Sequence, residues 1–274
     1  MTLFLVATPI GNLADMTFRA IEVLRQCDYV LCEDTRHSRP LLQHYDIDKP
    51  LRSFHKFNEA SREDQIVEDL KQGKNIALIS DAGTPGISDP GERLVQECVS
   101  AGLEVVPIPG ACAAIAGISA SGLTTERFQF LGFLPRKDQQ LRLCLLDALA
   151  YVGTSICYEA PTRLVDLLKL LSELAPQRRI VVAREITKKF EEFRRGTAAE
   201  LLEHWQQHTP KGEVVVMIAP PTESEGGDWE ALTPEEHVAH VQQQFNISRK
   251  EAIKVVADLR NLSKRDLYKR TISD

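Results

Sequence analysis

Short apolar runs alternate with amphipathic stretches from residue 3 to residue 108, and this rhythm constrains the fold more than any other feature of the chain. Residues 3–7, 29–32, 51–54, 76–80 and 103–108 have the length and composition of buried strands. Helical patterns separate them: one that Asp15 could cap, carrying Phe18, Ile21, Val23 and Leu24; a short one at 39–44; one at 59–72 ending at Gly73; and one at 92–101 ending at Gly102. Strands that alternate with helices predict a mostly parallel sheet covered on both faces. A second α/β unit begins near Thr124, with strands predicted at 128–134, 155–158, 179–183 and 213–219 and a further one at 190–196. Its helices are predicted at 138–150, 162–174 and 198–208. A Pro/Gly/Glu-rich stretch at 220–228 reads as a linker. Three short helical patterns follow it, two of them opened by Thr233-Pro234-Glu235-Glu236 and by the capping box Ser248-x-x-Glu251. A turn at Asn261-Leu262 completes a helix-turn-helix pattern.

The composition is that of a globular protein, 43% hydrophobic and 26% charged over 274 residues. No apolar run approaches the roughly 20 residues that cross a bilayer. The N-terminus enters a strand pattern without a basic leader segment, so a soluble, cytoplasmic protein is expected. The six cysteines form no C-x-x-C pair, which predicts buried free thiols rather than a zinc site or a disulfide framework. Charge is unevenly placed. Residues 249–270 hold eight basic and three acidic side chains, a local balance of +5 in a chain whose formal total is −6. A basic tail on an acidic body suits a partner rich in phosphate, and it also suits a solvated helical face.

Four segments lie just past the predicted carboxyl ends of strands, where open α/β sheets bind ligands. They are Ala7-Thr8-Pro9-Ile10-Gly11-Asn12, Glu33-Asp34-Thr35-Arg36, the loop at 80–91 and Pro107-Ile108-Pro109-Gly110-Ala111-Cys112-Ala113. The loop at 80–91 has three glycines, two prolines and two aspartates, a composition for a backbone that must come close to something. Any one segment could be only a tight turn; four at one end of one sheet point to a ligand cradle. None matches G-x-G-x-x-G or a P-loop, and no G-x-S-x-G elbow is present. Glu33 to His37 could supply a general base and a phosphate clamp, or equally a capped helix start with an internal ion pair. Asp81 and Asp89 could bond ligand hydroxyls, with Asp89 reading more as an N-cap. His55 reads as a surface or satisfied histidine. The charged stretch 183–189 could line a cleft or be a solvated turn.

Together, Thr8 to Leu13, Glu33 to Arg36, Ser80 to Gly91, Pro107 to Ala113 and Ala183-Arg184-Glu185 resemble the tetrapyrrole-methylase superfamily, and most closely its branch acting on ribosomal RNA. The resemblance covers nearly the whole chain. It implies two α/β domains with S-adenosylmethionine in the cleft between them, a small C-terminal helical appendage and a homodimer. The domains would be residues 1–122 and 123–220, with a linker at 221–232 and a basic RNA-binding part at 233–274. Cofactor contacts would fall on Pro9, Asp81, Ala82, Gly83, Ile87, Cys112, Ala113, Tyr158 and Ala183. The implied reaction is 2′-O-methylation of a cytidine ribose in the decoding region of 16S rRNA, free or in the small ribosomal subunit. Glu33 or Asp34 is the expected base, Arg36 and Lys188 are expected to hold phosphate, and Arg249, Lys250, Lys254, Lys264, Arg265 and Lys269 are expected to contact RNA. No metal, membrane or DNA is expected. The rivals are a methylase for a small tetrapyrrole and a non-catalytic ribosome-binding factor.

Overall fold

The computed structural model describes residues 1–208, 210–222, 232–245, 247–260 and 262–272. Most of the expected linker, and Asn261 of the expected turn, lie outside them. The chain divides into two compact units: Met1–Ala116 with Glu185–Glu191, and Gly117–Arg184 with the remainder.

The first unit is a five-stranded sheet of β1 (Thr2–Val6), β2 (Tyr29–Cys32), β3 (Leu51–Ser53), β4 (Ile76–Leu78) and β5 (Glu104–Ile108). The order is β3-β2-β4-β1-β5 and every pairing is parallel. Continuous apolar strands follow from burial on both faces. Val6, Val30, Cys32 and Ala77 pack with Ala20 and Leu24 of α1 (Phe18–Gln26) and Leu42 of α2 (Thr35–His44). Leu3, Tyr29, Leu31, Ile76 and Leu78 pack with Ile66 and Leu70 of α3 (Glu59–Lys71) and Leu94 and Cys98 of α4 (Glu92–Ser100). The helices after β1 and β4 therefore go to opposite faces although the two strands are neighbours. That is the topological switch point, where a crevice opens beyond the strand ends.

Three local expectations are corrected. Thr17, not Asp15, caps α1, its side chain accepting from the Ala20 N–H; Asp15 instead lies in a short 3₁₀ turn, Leu13–Asp15. The helix expected at 39–44 begins at Thr35, because Asp34 caps it and Pro40 sits within the helix. Asp89 is not the cap of α4; that helix starts at Glu92 with Gly91 as its N-cap and no side-chain cap.

The second unit holds a mixed sheet, β6-β7-β10-β8-β9, from β6 (Phe128–Phe133), β7 (Thr154–Glu159), β8 (Arg179–Arg184), β9 (Glu192–Thr197) and β10 (Val214–Ile218). Only β6 and β7 are parallel. One face is covered by α6 (Asp138–Ala150), α7 (Pro161–Leu174) and α8 (Ala198–Gln207), which meet Cys157, Ile180, Val182, Val214, Val216 and Ile218 through Leu145, Leu149, Leu164, Leu168, Leu171, Leu201 and Trp205. On the other face Gly117, within α5 (Ala113–Ser121), sits where an added Cβ would lie 3.4 Å from Val215 Cγ1. Helix α5 has no counterpart in the predicted elements: its run of Ala, Ile, Gly and Ser lacks the polar face that marks a helix in sequence.

The last three helices, α9 (Pro234–Phe245), α10 (Arg249–Leu259) and α11 (Lys264–Ile272), share a core of Val238, Val241, Ile253, Val256 and Leu267 that also takes in Leu146 of α6. The expected capping box forms, Glu251 with Ser248, and Thr233 caps α9 in the same way with Glu236. Glu251 also accepts from Gln139 of α6 at 2.7 Å. All six cysteines are free, and burial raises the thiols of Cys27 and Cys98 to about 11. Among the described residues no helix is long and apolar enough to cross a membrane.

Candidate active site

Because all five strands of the first sheet run the same way, the loops after β1, β2, β4 and β5 leave from one edge. The loops after β1 and β4 are joined at the switch point: the Thr8 N–H donates to the Gly83 carbonyl at 2.9 Å, and the Gly83 N–H donates to the Thr8 carbonyl at 3.0 Å. Gly83 has φ +80°, a region L side chains rarely adopt, so glycine is required for this pairing. The Thr8 hydroxyl donates to the Ser80 carbonyl, and the Ser80 hydroxyl to the carbonyls of Ala82 and Gly83. The β5 loop joins through Thr84, whose hydroxyl reaches the Ala111 carbonyl at 3.4 Å. Gly110 lies so close to the β1 loop that a Cβ there would sit 2.8 Å from Ala7 Cβ. Three loops are thus held at backbone distance, with Pro9 buried beneath and Ala82 and Ile87 exposed.

The β2 loop is tied to the β4 loop by the Asp34 N–H, which donates to Asp81 Oδ1 at 3.4 Å. Asp34 is clamped by Arg36: Nε and Nη2 donate at 3.0 and 2.7 Å, and the Arg36 backbone N–H at 2.8 Å. These bonds hold the Asp34 carboxyl down at about 2. A carboxylate so satisfied is a poor proton acceptor at neutral pH. The capped helix start with an internal ion pair is therefore present, Asp34 capping α2 and pairing with Arg36, while Glu33 lies half-buried beside it. The guanidinium is fixed in orientation yet 90% exposed.

One acid stands in a different role from the N-cap it reads as in sequence. Asp89, half-buried in the β4 loop, is pushed up to about 6 by burial and then by the charges of Glu33 and Asp81, with Lys56 opposing. Its sequence context of Gly and Pro gives no sign of Glu33 and Lys56, which come from the loops after β2 and β3.

The stretch Glu185–Glu191 belongs to the first unit. Lys188 lays its stem over Gly11, where a Cβ would meet Lys188 Cγ at 2.3 Å, and its Nζ pairs with Glu185 at 2.9 Å. In the second unit, Tyr158, Val215 and Ala183 are paired in one row across the sheet and so share a face. The Tyr158 ring meets Phe130 and Phe133 edge-on at 4.9 and 5.6 Å. Cys112 and Ala113 lie half-buried at the start of α5. Arg249, Lys250, Lys254, Lys264, Arg265 and Lys269 are exposed on α10 and α11. Another basic residue of the tail, Arg260, is structural, donating to His237 Nδ1 and the Leu232 carbonyl. Among the described residues no three His, Cys, Asp or Glu side chains are arranged to hold a metal ion.

An edge of glycine-bearing loops at the switch point of a parallel sheet, followed by a mixed sheet, defines an α/β protein that gathers a ligand site at the strand ends. The chain belongs to the tetrapyrrole (corrin/porphyrin) methylases, whose family model matches residues 2–202. Over nearly its whole length it is similar to proteins named ribosomal RNA small subunit methyltransferase I. The one from Halalkalibacterium halodurans is 46% identical over 97% of this chain and 93% of its own, and the one from Bacillus subtilis is 44% identical over 97% and 92%. A solved uroporphyrin-III C-methyl transferase from Thermus thermophilus shares the fold, with a TM-score of 0.57 at 17% identity over 80% of this chain and 97% of its own.

Proposed function

We propose that the chain transfers a methyl group from S-adenosylmethionine to the 2′-oxygen of a cytidine ribose in the decoding region of 16S rRNA. The observation that carries this reading is the likeness to small-subunit rRNA methyltransferases, which extends beyond the matched family region through most of the basic tail. The cofactor is supported by the Thermus thermophilus structure, which was solved with S-adenyl homocysteine. The loops suit such a group, since Gly83 and Gly110 let the β1, β4 and β5 loops close on one another at the strand edge and Asp81 supplies an acid beside them. Pro9, Asp81, Ala82, Gly83, Ile87, Cys112 and Ala113 are the contacts proposed on the first unit, with Tyr158 and Ala183 as the second unit's contributions.

When bound, S-adenosylmethionine supplies a methyl group already activated by a sulfonium, so no metal is called for. The protein's own work is alignment and proton removal. Fixing a ribose oxygen on the attack line is worth an effective molarity of roughly 10⁵–10⁸ M. Glu33 takes the 2′-hydroxyl proton, because Asp34 is consumed by Arg36. Arg36, held flat by Asp34, presents its outer edge to a phosphate. Lys188 keeps the β1 loop in place through Gly11 and adds positive charge near it. The exposed basic residues of α10 and α11 supply affinity for the RNA backbone. The organisation that accompanies this reading is a catalytic body of two domains, 1–122 and 123–220, a joining stretch at 221–232 and an RNA-binding part at 233–274, acting as a cytoplasmic homodimer.

The test is to incubate the protein with labelled S-adenosylmethionine and either unmethylated small subunits or naked 16S rRNA, then map the label. Label on a cytidine ribose of the decoding region is expected; label on a base, or on an added tetrapyrrole only, sinks the reading. Changing Arg249, Lys250 and Lys254 together to Gln should lower the salt dependence of RNA binding, by about 0.7–0.9 in slope for each phosphate no longer neutralised, and leave cofactor affinity unchanged.

A further inference from the structure

We infer that Phe57 is a stacking platform for an unpaired RNA base close to the methylated nucleotide; this rests on the rRNA reading above. Phe57 is 98% exposed, more than any other large apolar side chain among the described residues. Its exposure is enforced. The turn that carries it is tied by the His55 N–H to Asn58 Oδ1 at 2.8 Å, by Asn58 Nδ2 to the Ser53 carbonyl at 3.2 Å, and by the Asn58 and Glu59 N–H groups to the His55 carbonyl. Among the described residues the one ring it meets is that of His55, edge to face with centroids 6.0 Å apart.

Helix formation does not explain it. Phe57 precedes the N-cap of α3, the position from which an apolar residue can staple to the fourth helical residue. In this chain that residue is Arg62, so there is no apolar partner for a staple. A protein-binding patch does not explain it either. The neighbours of Phe57 along the turn are His55, Lys56, Asn58 and Glu59, a polar ring around one aromatic disc, whereas protein interfaces bury contiguous apolar cores. A lone exposed ring among polar groups matches what unpaired bases use: a π-face for stacking, with cations nearby for phosphate.

Its place in the fold ties it to the acceptor. Strand β3 lies beside β2 in parallel register, Cys32 opposite Ser53, and the Phe54 N–H donates to the Cys32 carbonyl. The turn with Phe57 therefore leaves the same edge as Glu33 to Arg36, one strand over. Lys56 is close enough to act on Asp89 of the β4 loop. The proposed base Glu33, the oriented cation Arg36, the cation Lys56 and the ring of Phe57 thus share one edge.

The experiment compares wild type with Phe57→Ala, Phe57→Leu and Phe57→Trp on unmethylated small subunits, with cofactor affinity by calorimetry and mass by sedimentation. Loss of a base stack corresponds to about a 5- to 140-fold fall in kcat/KM, carried mainly by KM. That fall is expected for Ala and for Leu, recovery for Trp, and unchanged cofactor affinity and mass throughout. In Phe57→Trp, adding a short cytidine-containing RNA should quench the fluorescence that the new Trp contributes. A Leu variant at the wild-type rate, or no quenching, overturns stacking while the function stands. A change of mass in the Ala variant overturns it in favour of a contact with a second copy. A wild-type protein that binds cofactor but leaves RNA unmethylated overturns the function itself, and quenching then reads the stacking role separately.

Discussion

The two sheets divide the labour of the molecule. In the first, strands are only three to five residues long and every one is parallel. In the second they are five or six residues long, and β10 runs against both of its neighbours. A parallel sheet sends all of its strand-to-helix loops out of one edge, so residues distant in sequence, such as Thr8, Glu33, Gly83 and Gly110, collect there. A mixed sheet splits its connections between two ends and cannot gather a site in that way. What it offers instead is a long row of β-branched residues facing a dense leucine layer. One sheet assembles chemistry and the other supplies much of the core.

That division can be broken by substitution, beginning with the largest effect. Glu33→Gln should slow single-turnover methyl transfer about 10²–10⁴-fold, the usual worth of a general base, while Asp34→Asn should cost less than about tenfold. Equal rates for Glu33→Gln and wild type would remove the base from this edge. In the second sheet the effect should appear in stability. Leu168→Ala opens a cavity in a fully buried layer, and urea unfolding should show a loss of about 2–5 kcal/mol with cofactor binding intact in the folded fraction.

The tail tests the same distinction through pH. His237 is buried, its Nδ1 accepting from Arg260, and burial followed by the Arg260 charge lowers it to about 4. The folded state therefore binds fewer protons than the unfolded one between about 4 and 6.5. Stability present at neutral pH should drain away as pH falls through that window, by up to ~3 kcal/mol. Circular dichroism of wild type and His237→Gln across that range checks it; identical acid profiles would exclude His237. The smallest effect belongs to Gly110→Ala. Its Cβ would lie 2.8 Å from Ala7 Cβ, closer than Cβ atoms approach, so the β1 and β5 loops must part. Cofactor affinity should fall about tenfold with little change in unfolding; a calorimetric Kd equal to wild type would show that this close approach is not used.

The sequence revealed the sheets well because burial on both faces leaves plain apolar runs, as in 29–32 and 76–80. It revealed α5 poorly, since a helix of Ala, Gly, Ile and Ser has no polar stripe to betray its period. The glycine loops were legible as places of close approach, because only glycine permits Gly83 its φ of +80°. What each loop touches was not legible. Asp89 shares its surroundings with Glu33 and Asp81, and Lys188 lies on Gly11 from far along the chain. Such pairings are set by strand order, which local pattern does not encode.

The six free thiols have a practical consequence. Cys27, Cys98 and Cys157 are buried with their thiols raised by burial, so almost none of each is thiolate at neutral pH, and alkylating reagents have neither the nucleophile nor the access they need. Cys112 and Cys144, by contrast, are only half-buried, Cys144 on α6 and Cys112 in the β5 loop among the proposed cofactor contacts. A mild iodoacetamide pulse read by peptide mass tells the two apart, and the extent of labelling at Cys112 becomes a gauge of how full the proposed cofactor site is.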